Sequence, residues 1–145
     1  MVPDGRDIPG VCPFYITDDV EGFIDFCKTW LKGQVAHLLT DQATGTARYA
    51  EIKVGESLLM VTKTGNSLAA TRNHTMVSVE DCVSLYGRAV AAGVVSVQAP
   101  VAVHHSGETY AGIADGCGNV WWLSTRTERL SYREQQERYQ QKRQP

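Results

Sequence analysis

The sequence has no excess of charge of either sign: 14 Lys and Arg against 16 Asp and Glu leave a formal net charge of −2. Nucleic-acid binding usually leaves a basic stripe, and this chain carries none. No apolar run approaches the ~20 residues that a membrane-spanning helix needs. The opening Met1-Val2-Pro3-Asp4-Gly5-Arg6-Asp7 has neither the cationic nor the apolar region of a secretion signal, so a cytoplasmic protein is expected. Cys12, Cys27, Cys82 and Cys117 are widely spaced and form no CxxC pair. Their even number permits two disulfides, but a chain of this size does not need them, and free thiols in a reducing compartment are expected. Gly116-Cys117-Gly118-Asn119 is glycine-rich, yet it precedes a strand and not a helix. A phosphate-binding loop is therefore not indicated, and the segment reads as a turn.

What is present is a repeat. The 145 residues, 43% hydrophobic and 21% charged, suffice for one globular domain with a substantial core. Within them the same unit occurs twice at an offset of 62 positions. Cys12-Pro13-Phe14-Tyr15-Ile16-Thr17-Asp18-Asp19 is matched by His74-Thr75-Met76-Val77-Ser78-Val79-Glu80-Asp81. Leu58-Leu59-Met60-Val61-Thr62 is matched by Val120-Trp121-Trp122-Leu123-Ser124. The identities are few, so the repeat rests on pattern, with one offset holding at both ends.

Each copy has the same internal order. After Asp19, apolar residues at 20, 23, 24, 27, 30 and 31 follow the rhythm of a helix with one buried face, which Gly33 is placed to end. In the second copy Val83, Leu85, Tyr86, Ala89 and Val90 repeat the rhythm less cleanly before Ala91-Ala92-Gly93. Short strands are expected at 36–40, 47–54 and 58–62, then at 94–98, 110–114 and 120–125, with turns at the glycines between them. The order is strand, helix and three strands, twice. Module 1 spans about 11–62, a connector 63–73, module 2 about 74–125, and a polar tail 126–145. In the tail, Ser131-Tyr132-Arg133-Glu134 reads as a capping box opening a solvated helix to about Lys142. That helix either tacks down the chain end or serves as a dimer arm; its two tyrosines, Tyr132 and Tyr139, make a thin apolar stripe that favours the former.

A twice-repeated strand-helix-strand-strand-strand unit, with a ligand-type residue seven positions before an Asp, resembles the vicinal oxygen chelate superfamily. Its members include glyoxalase I, extradiol dioxygenases and bleomycin-resistance proteins. Pro13–Asp19, Ala50–Met60, Asp115–Leu123 and the Ser-x-x-Glu tail are most similar to its PhnB-like branch. The resemblance covers roughly Val11 to Tyr139. It implies an α+β fold, a single glyoxalase-like domain of two tandem βαβββ modules forming a curved sheet around one cleft, usually in a homodimer.

The resemblance also implies where a divalent metal would sit. Carried over position by position, its ligands fall on Cys12, Met60, His74 and Trp122. Only His74 is a ligand of the family type; Cys12 offers a thiolate, Met60 a soft thioether, and Trp122 nothing. Catalytic zinc needs about three protein ligands and an open position, so the set is incomplete and no metal cofactor is expected. A glyoxalase needs a metal and a carboxylate to move the proton, and an extradiol dioxygenase needs a two-His, one-carboxylate triad. Neither set stands at these positions. A binding cleft needs apolar and aromatic walls with a few polar groups, and Trp122, Met60, Tyr15 and Phe14 are expected to supply them.

Strand alternation places Ala50, Ile52 and Val54 against a helix and turns Tyr49 and Glu51 toward the cavity. Glu51 then reads as a general base or an anchor for a cationic ligand, or, more plainly, as a solvated carboxylate paired with Arg48 or Lys53. His74 reads as an acid-base group or as an ordinary strand histidine. Cys12 reads as a nucleophile or, preferably, as a small buried hydrophobe. Trp121 and Trp122 must face opposite sides of their strand. His104-His105 cannot chelate as neighbours on a strand, and the pair reads as a rim loop. Cys12, Tyr49, Glu51, Met60, His74 and Trp122 are thus the expected ligand-binding set. The expected function is binding of a small aromatic or amphipathic molecule. The alternatives are a glyoxalase-related lyase or isomerase using Glu51 and His74, with a relocated metal or none, and a degenerate paralogue whose cleft is filled by its own side chains.

Overall fold

The computed structural model describes residues 8–143. Among them the chain forms eight strands and three helices in the order β1 (Phe14–Thr17), α1 (Val20–Trp30), β2 (Gln34–Thr40), β3 (Ala47–Val54), β4 (Ser57–Lys63), β5 (His74–Ser78), α2 (Cys82–Ala91), β6 (Val95–Val103), β7 (Glu108–Ala114), β8 (Val120–Arg126) and α3 (Tyr132–Arg143). The strands make two four-stranded mixed sheets, ordered β1-β4-β3-β2 and β5-β8-β7-β6. In each, the first strand runs parallel to the last and the other pairings are antiparallel. This is the expected α+β architecture of two βαβββ modules with a C-terminal helix.

The chain divides into two compact units. The first runs to Asn73 and takes in Gly116–Gly118; the second holds His74–Asp115 and the chain from Asn119 onward. In the first, α1 lies on β3 and β4. Its buried residues Val20, Phe23, Ile24 and Cys27 meet Tyr15, Ala50, Ile52, Leu59 and Val61 from the sheet. In the second, α2 lies on β6, β7 and β8. Its Cys82, Leu85 and Ala89 meet Ala111, Ile113, Trp121 and Leu123. The expected apolar face of α2 is thereby corrected, because Val83 and Val90 are exposed and Cys82 is buried.

The two helices start alike, as the repeat requires. The Asp19 carboxylate accepts from the Gly22 N–H at 2.9 Å, and the Asp81 carboxylate from the Ser84 N–H at 3.1 Å. Each satisfies one of the orphan donors of a first helical turn. The ends differ from expectation. Lys32, at φ 56°, is the left-handed residue after α1, and Gly33 is needed for a different reason. A Cβ on Gly33 would come within 3.0 Å of the Cys27 carbonyl, to which the Gly33 N–H donates at 2.9 Å.

The polar tail docks on the second unit. The capping box forms as the sequence implies: the Ser131 N–H donates to Glu134 at 2.7 Å, and the Glu134 N–H to the Ser131 hydroxyl at 3.1 Å. Arg138 then clamps α3 by donating to Glu128 at 2.7 and 3.2 Å and to the His104 carbonyl at 2.9 Å.

Those hydrogen bonds set a pH dependence. The Arg138 guanidinium holds the Glu128 carboxyl below its ordinary value of 4.5, and the Ser131 backbone N–H does the same for Glu134. A carboxyl with a depressed folded pKa contributes stability above its unfolded pKa and loses it as pH falls through the folded one. Acidification from neutral pH into and below the ordinary carboxylate range should therefore loosen α3, while a shift to mildly alkaline pH should not. Both groups are exposed, so the effect will be confined to the helix. Hydrogen exchange of the α3 amides, corrected for intrinsic rates, reads it. Glu128→Gln should exchange faster at neutral pH and lose much of the acid response.

Candidate functional site

In each unit the helix covers one face of the sheet, and candidate site residues lie on the other. Register defines that open face in the first unit: Glu51 pairs with Met60, which pairs with Phe14 on one side, while His37 pairs with Glu51 on the other. Tyr49 pairs with Thr62 and Leu39 in the next rung. Phe14, His37, Tyr49, Glu51 and Met60 thus share one surface. Three members of the expected ligand-binding set, Tyr49, Glu51 and Met60, come together there.

Glu51 is not a solvated carboxylate. It is only 3% exposed, and the Tyr49 hydroxyl donates to its Oε2 at 2.9 Å. Arg48 lies instead beside Asp41, at 3.9 Å. The His37 ring stands edge-on to Tyr49, with centroids 6.3 Å apart and planes at 69°. Two further expectations are corrected. Tyr15 is no wall of this surface; it is fully buried on the helix side, its ring 4.7 Å from that of Phe23. Cys12 precedes β1 and is half-buried, its thiol directed to the Pro9 carbonyl at 3.7 Å, so it is not a core hydrophobe.

On the second unit's open face, Trp122 pairs with Gly112 on β7 and with Met76 on β5. The glycine is what lets the indole lie down on the sheet: a Cβ there would sit 2.7 Å from Trp122 Cζ3. Trp122 Nε1 donates to His74 Nδ1 at 3.1 Å, and the two ring planes are within 14° of each other. An indole N–H donates in the plane of its ring, so the imidazole extends the flat surface of the indole. With Nδ1 accepting, a neutral His74 carries its proton on Nε2. Tyr110 stands against this floor at 71°, with centroids 5.7 Å apart. Beyond it, the Ser124 hydroxyl donates to Glu108 at 3.1 Å. Trp121, as alternation demands, points the other way, fully buried, with its Nε1 donating to Asp115 at 3.0 Å.

This architecture recurs in solved structures. TioX from Micromonospora sp. ML1 aligns with a TM-score of 0.64 and 22% identity, over 85% of this chain and 100% of that one. A glyoxalase/bleomycin resistance protein/dioxygenase from Nocardioides aligns with a TM-score of 0.60 and 16% identity, over 88% of this chain and 89% of that one. The fosfomycin resistance protein FosX from Mesorhizobium loti aligns with a TM-score of 0.60 and 15% identity, over 88% and 98%. The chain has the glyoxalase/bleomycin resistance/dioxygenase fold. No family model matches the sequence, and no curated protein matches it.

Within the glyoxalase fold, the residues at the four metal-ligand positions do not suit a divalent ion. His74 Nδ1 is engaged by the Trp122 indole, which itself has no lone pair to offer. Met60 brings a thioether, and Cys12 stands outside the strand. Among the described residues, no three of His, Cys, Asp and Glu gather in a group that could hold a metal.

Sequence reasoning missed Tyr110, Gly112 and His37. The signal for the first two was period-two alternation along Glu108-Thr109-Tyr110-Ala111-Gly112, combined with the tight 115–119 turn that fixes Gly112 opposite Trp122. His37 carried no usable signal, because β2 contains register shifts that reset its faces.

The Gly112–Trp122 contact is open to test. Gly112→Ala should displace the indole, destabilise the protein by about 1–3 kcal/mol as overpacking does, and shift tryptophan emission. Gly87→Ala in α2, where a Cβ would meet nothing within 4 Å, should be neutral or mildly stabilising. Urea denaturation of both variants checks this.

Proposed function

We propose that this chain is a member of the vicinal oxygen chelate superfamily, of its PhnB-like branch, and that it binds a small flat aromatic or amphipathic molecule without a metal. The two modules are read as parts of one domain. The observation that carries the reading is the half-exposed Trp122 indole, laid on Gly112, widened by the coplanar His74 and bounded by Tyr110. Flat aromatic ligands gain most from such surfaces, through area burial and offset or edge-on ring contacts. His74 Nε2 is the ring nitrogen that Trp122 does not use, and it adds a polar group beside that floor. In the first unit, Phe14 and Met60 supply apolar contact, Cys12 lies half-buried at the strand's approach, and Glu51 with Tyr49 supplies a polar anchor for a ligand donor. The neighbouring structures include a glyoxalase/bleomycin resistance protein/dioxygenase and a fosfomycin resistance protein, proteins named for small-molecule drugs.

A second reading is supported by one observation, the burial of Glu51 beside the Tyr49 hydroxyl. A carboxylate held in that way suits proton transfer, and a glyoxalase-related lyase or isomerase would use it with His74. A homodimer in the cytoplasm belongs to the same proposal. The free cysteines accord with a reducing compartment. The apolar edge strands β2 and β6, with Val35, Leu38 and Leu39 and with Val95 and Val97 exposed, favour self-association.

Calorimetric titration with the flat heterocycles acridine and phenazine tests the binding reading. Saturable binding is expected, weakened at least about tenfold by Trp122→Leu and several-fold by Tyr110→Ala, in line with the energy of aromatic contacts and buried aromatic area. Binding that ignores both substitutions would refute it. Turnover of a carbonyl substrate abolished by Glu51→Gln would bring the enzyme reading forward.

A further inference from the structure

Met76 stands on the same floor as Trp122. The two residues pair across β5 and β8, and register partners in a parallel pair point to one face of the sheet. His74, two residues earlier on β5, shares that face by alternation and accepts from the Trp122 N–H. Neighbouring strands lie about 4.8 Å apart, so the Met76 side chain flanks the indole on the side away from Gly112, which pairs with Trp122 from β7. Met76 is 62% exposed. The 62-residue offset puts Phe14 at the same point of the first unit, where an apolar side chain is again exposed. We propose that Met76 is a peroxide-sensitive wall of the floor: its thioether covers the edge of a flat ligand, and oxidation to the sulfoxide weakens the hold on that ligand. The proposal rests on the reading of the Trp122 floor as a binding surface.

Sulfur suits both halves of this role. A thioether is polarisable, sits on an unbranched chain and makes favourable contacts with the edges of aromatic rings. A ring laid on the indole gains from Met76 through apolar area and through the sulfur, and in turn shields the thioether from solvent. Left uncovered, the same sulfur is open to hydrogen peroxide. Its lone pair attacks one peroxide oxygen, the O–O bond breaks, an S–O bond forms, and the second oxygen leaves with both protons as water. The product is polar where the thioether was apolar. Its S–O dipole must be stripped of water before a flat apolar ring can lie against it, which costs affinity. Met60, the other methionine among the described residues, is half-buried on β4 and serves as the internal reference.

The full chain is treated with dilute hydrogen peroxide, followed by peptide mass spectrometry, and titrated with acridine in a calorimeter. Met76 should oxidise several-fold faster than Met60, and saturating acridine should slow the reaction at Met76. The oxidised protein should bind acridine about fivefold more weakly, the worth of a sulfur–aromatic contact with the apolar area around it. Met76→Leu removes the sulfur but keeps an apolar wall and all four cysteines, so the same treatment should change its affinity by less than about twofold. In protein labelled with 5-fluorotryptophan, oxidation alone should move the Trp122 19F resonance and leave Trp121 in place. Affinity that survives Met76 oxidation, a peroxide-induced loss that persists in Met76→Leu, or no protection by acridine would each overturn this proposal while leaving the floor reading intact. Acridine that does not bind, or that binds regardless of Trp122→Leu, would overturn the floor reading and this proposal with it.

Discussion

The structure depends on one pairing in each module: the first strand lies parallel to the last, β1 beside β4 and β5 beside β8. A chain cannot join parallel neighbours by a hairpin, so it must leave the sheet and return, and a helix is the economical way to do so. That helix covers one face of each sheet and buries the apolar residues of the strands beneath it. Tyr15, Ala50, Ile52, Leu59 and Val61 follow α1, and Ala111, Ile113, Trp121 and Leu123 follow α2. The other half is left on the face away from α1 and α2, where the chain keeps Glu51 and Trp122.

The two open faces differ in character although their backbones repeat. The first presents a buried carboxylate satisfied by a tyrosine hydroxyl, between Met60 and His37. The second presents a nearly uncharged aromatic floor, possible only because Gly112 has no side chain to lift the indole. Relatives of this fold that carry a metal need hard or borderline donors at the strand ends. Here an indole and a thioether stand in two of those places.

Much of this was legible in the chain itself. Asp19 and Asp81 announce both helices, and the 62-residue offset that relates them fixes the order of elements. Alternation set Trp121 and Trp122 on opposite sides of their strand and turned Tyr49 and Glu51 to the open face, where register places them. It failed where elements are short or irregular. β1 has four residues, too few to reveal that Tyr15 faces the helix and Phe14 the open side. Cys12 looked like a strand residue but precedes the strand. β6 runs through Pro100, which an edge strand tolerates, and ends at Val103, so that His104 and His105 meet Arg138 and Tyr139 of α3. No local pattern links His105 to Tyr139 or Arg138 to His104, because those contacts join segments 34 residues apart through tertiary docking alone. The burial of Glu51 was likewise hidden, since its cross-strand neighbours His37 and Met60 come from β2 and β4.

The most direct measurement is 19F NMR of protein labelled with 5-fluorotryptophan, which reports separately on Trp30 in α1, the buried Trp121 and the half-exposed Trp122. If the open face of the second sheet is the binding surface, adding acridine will move the Trp122 resonance and leave Trp121 and Trp30 in place. A Trp122 signal that stays fixed while acridine binds would contradict the account at its centre.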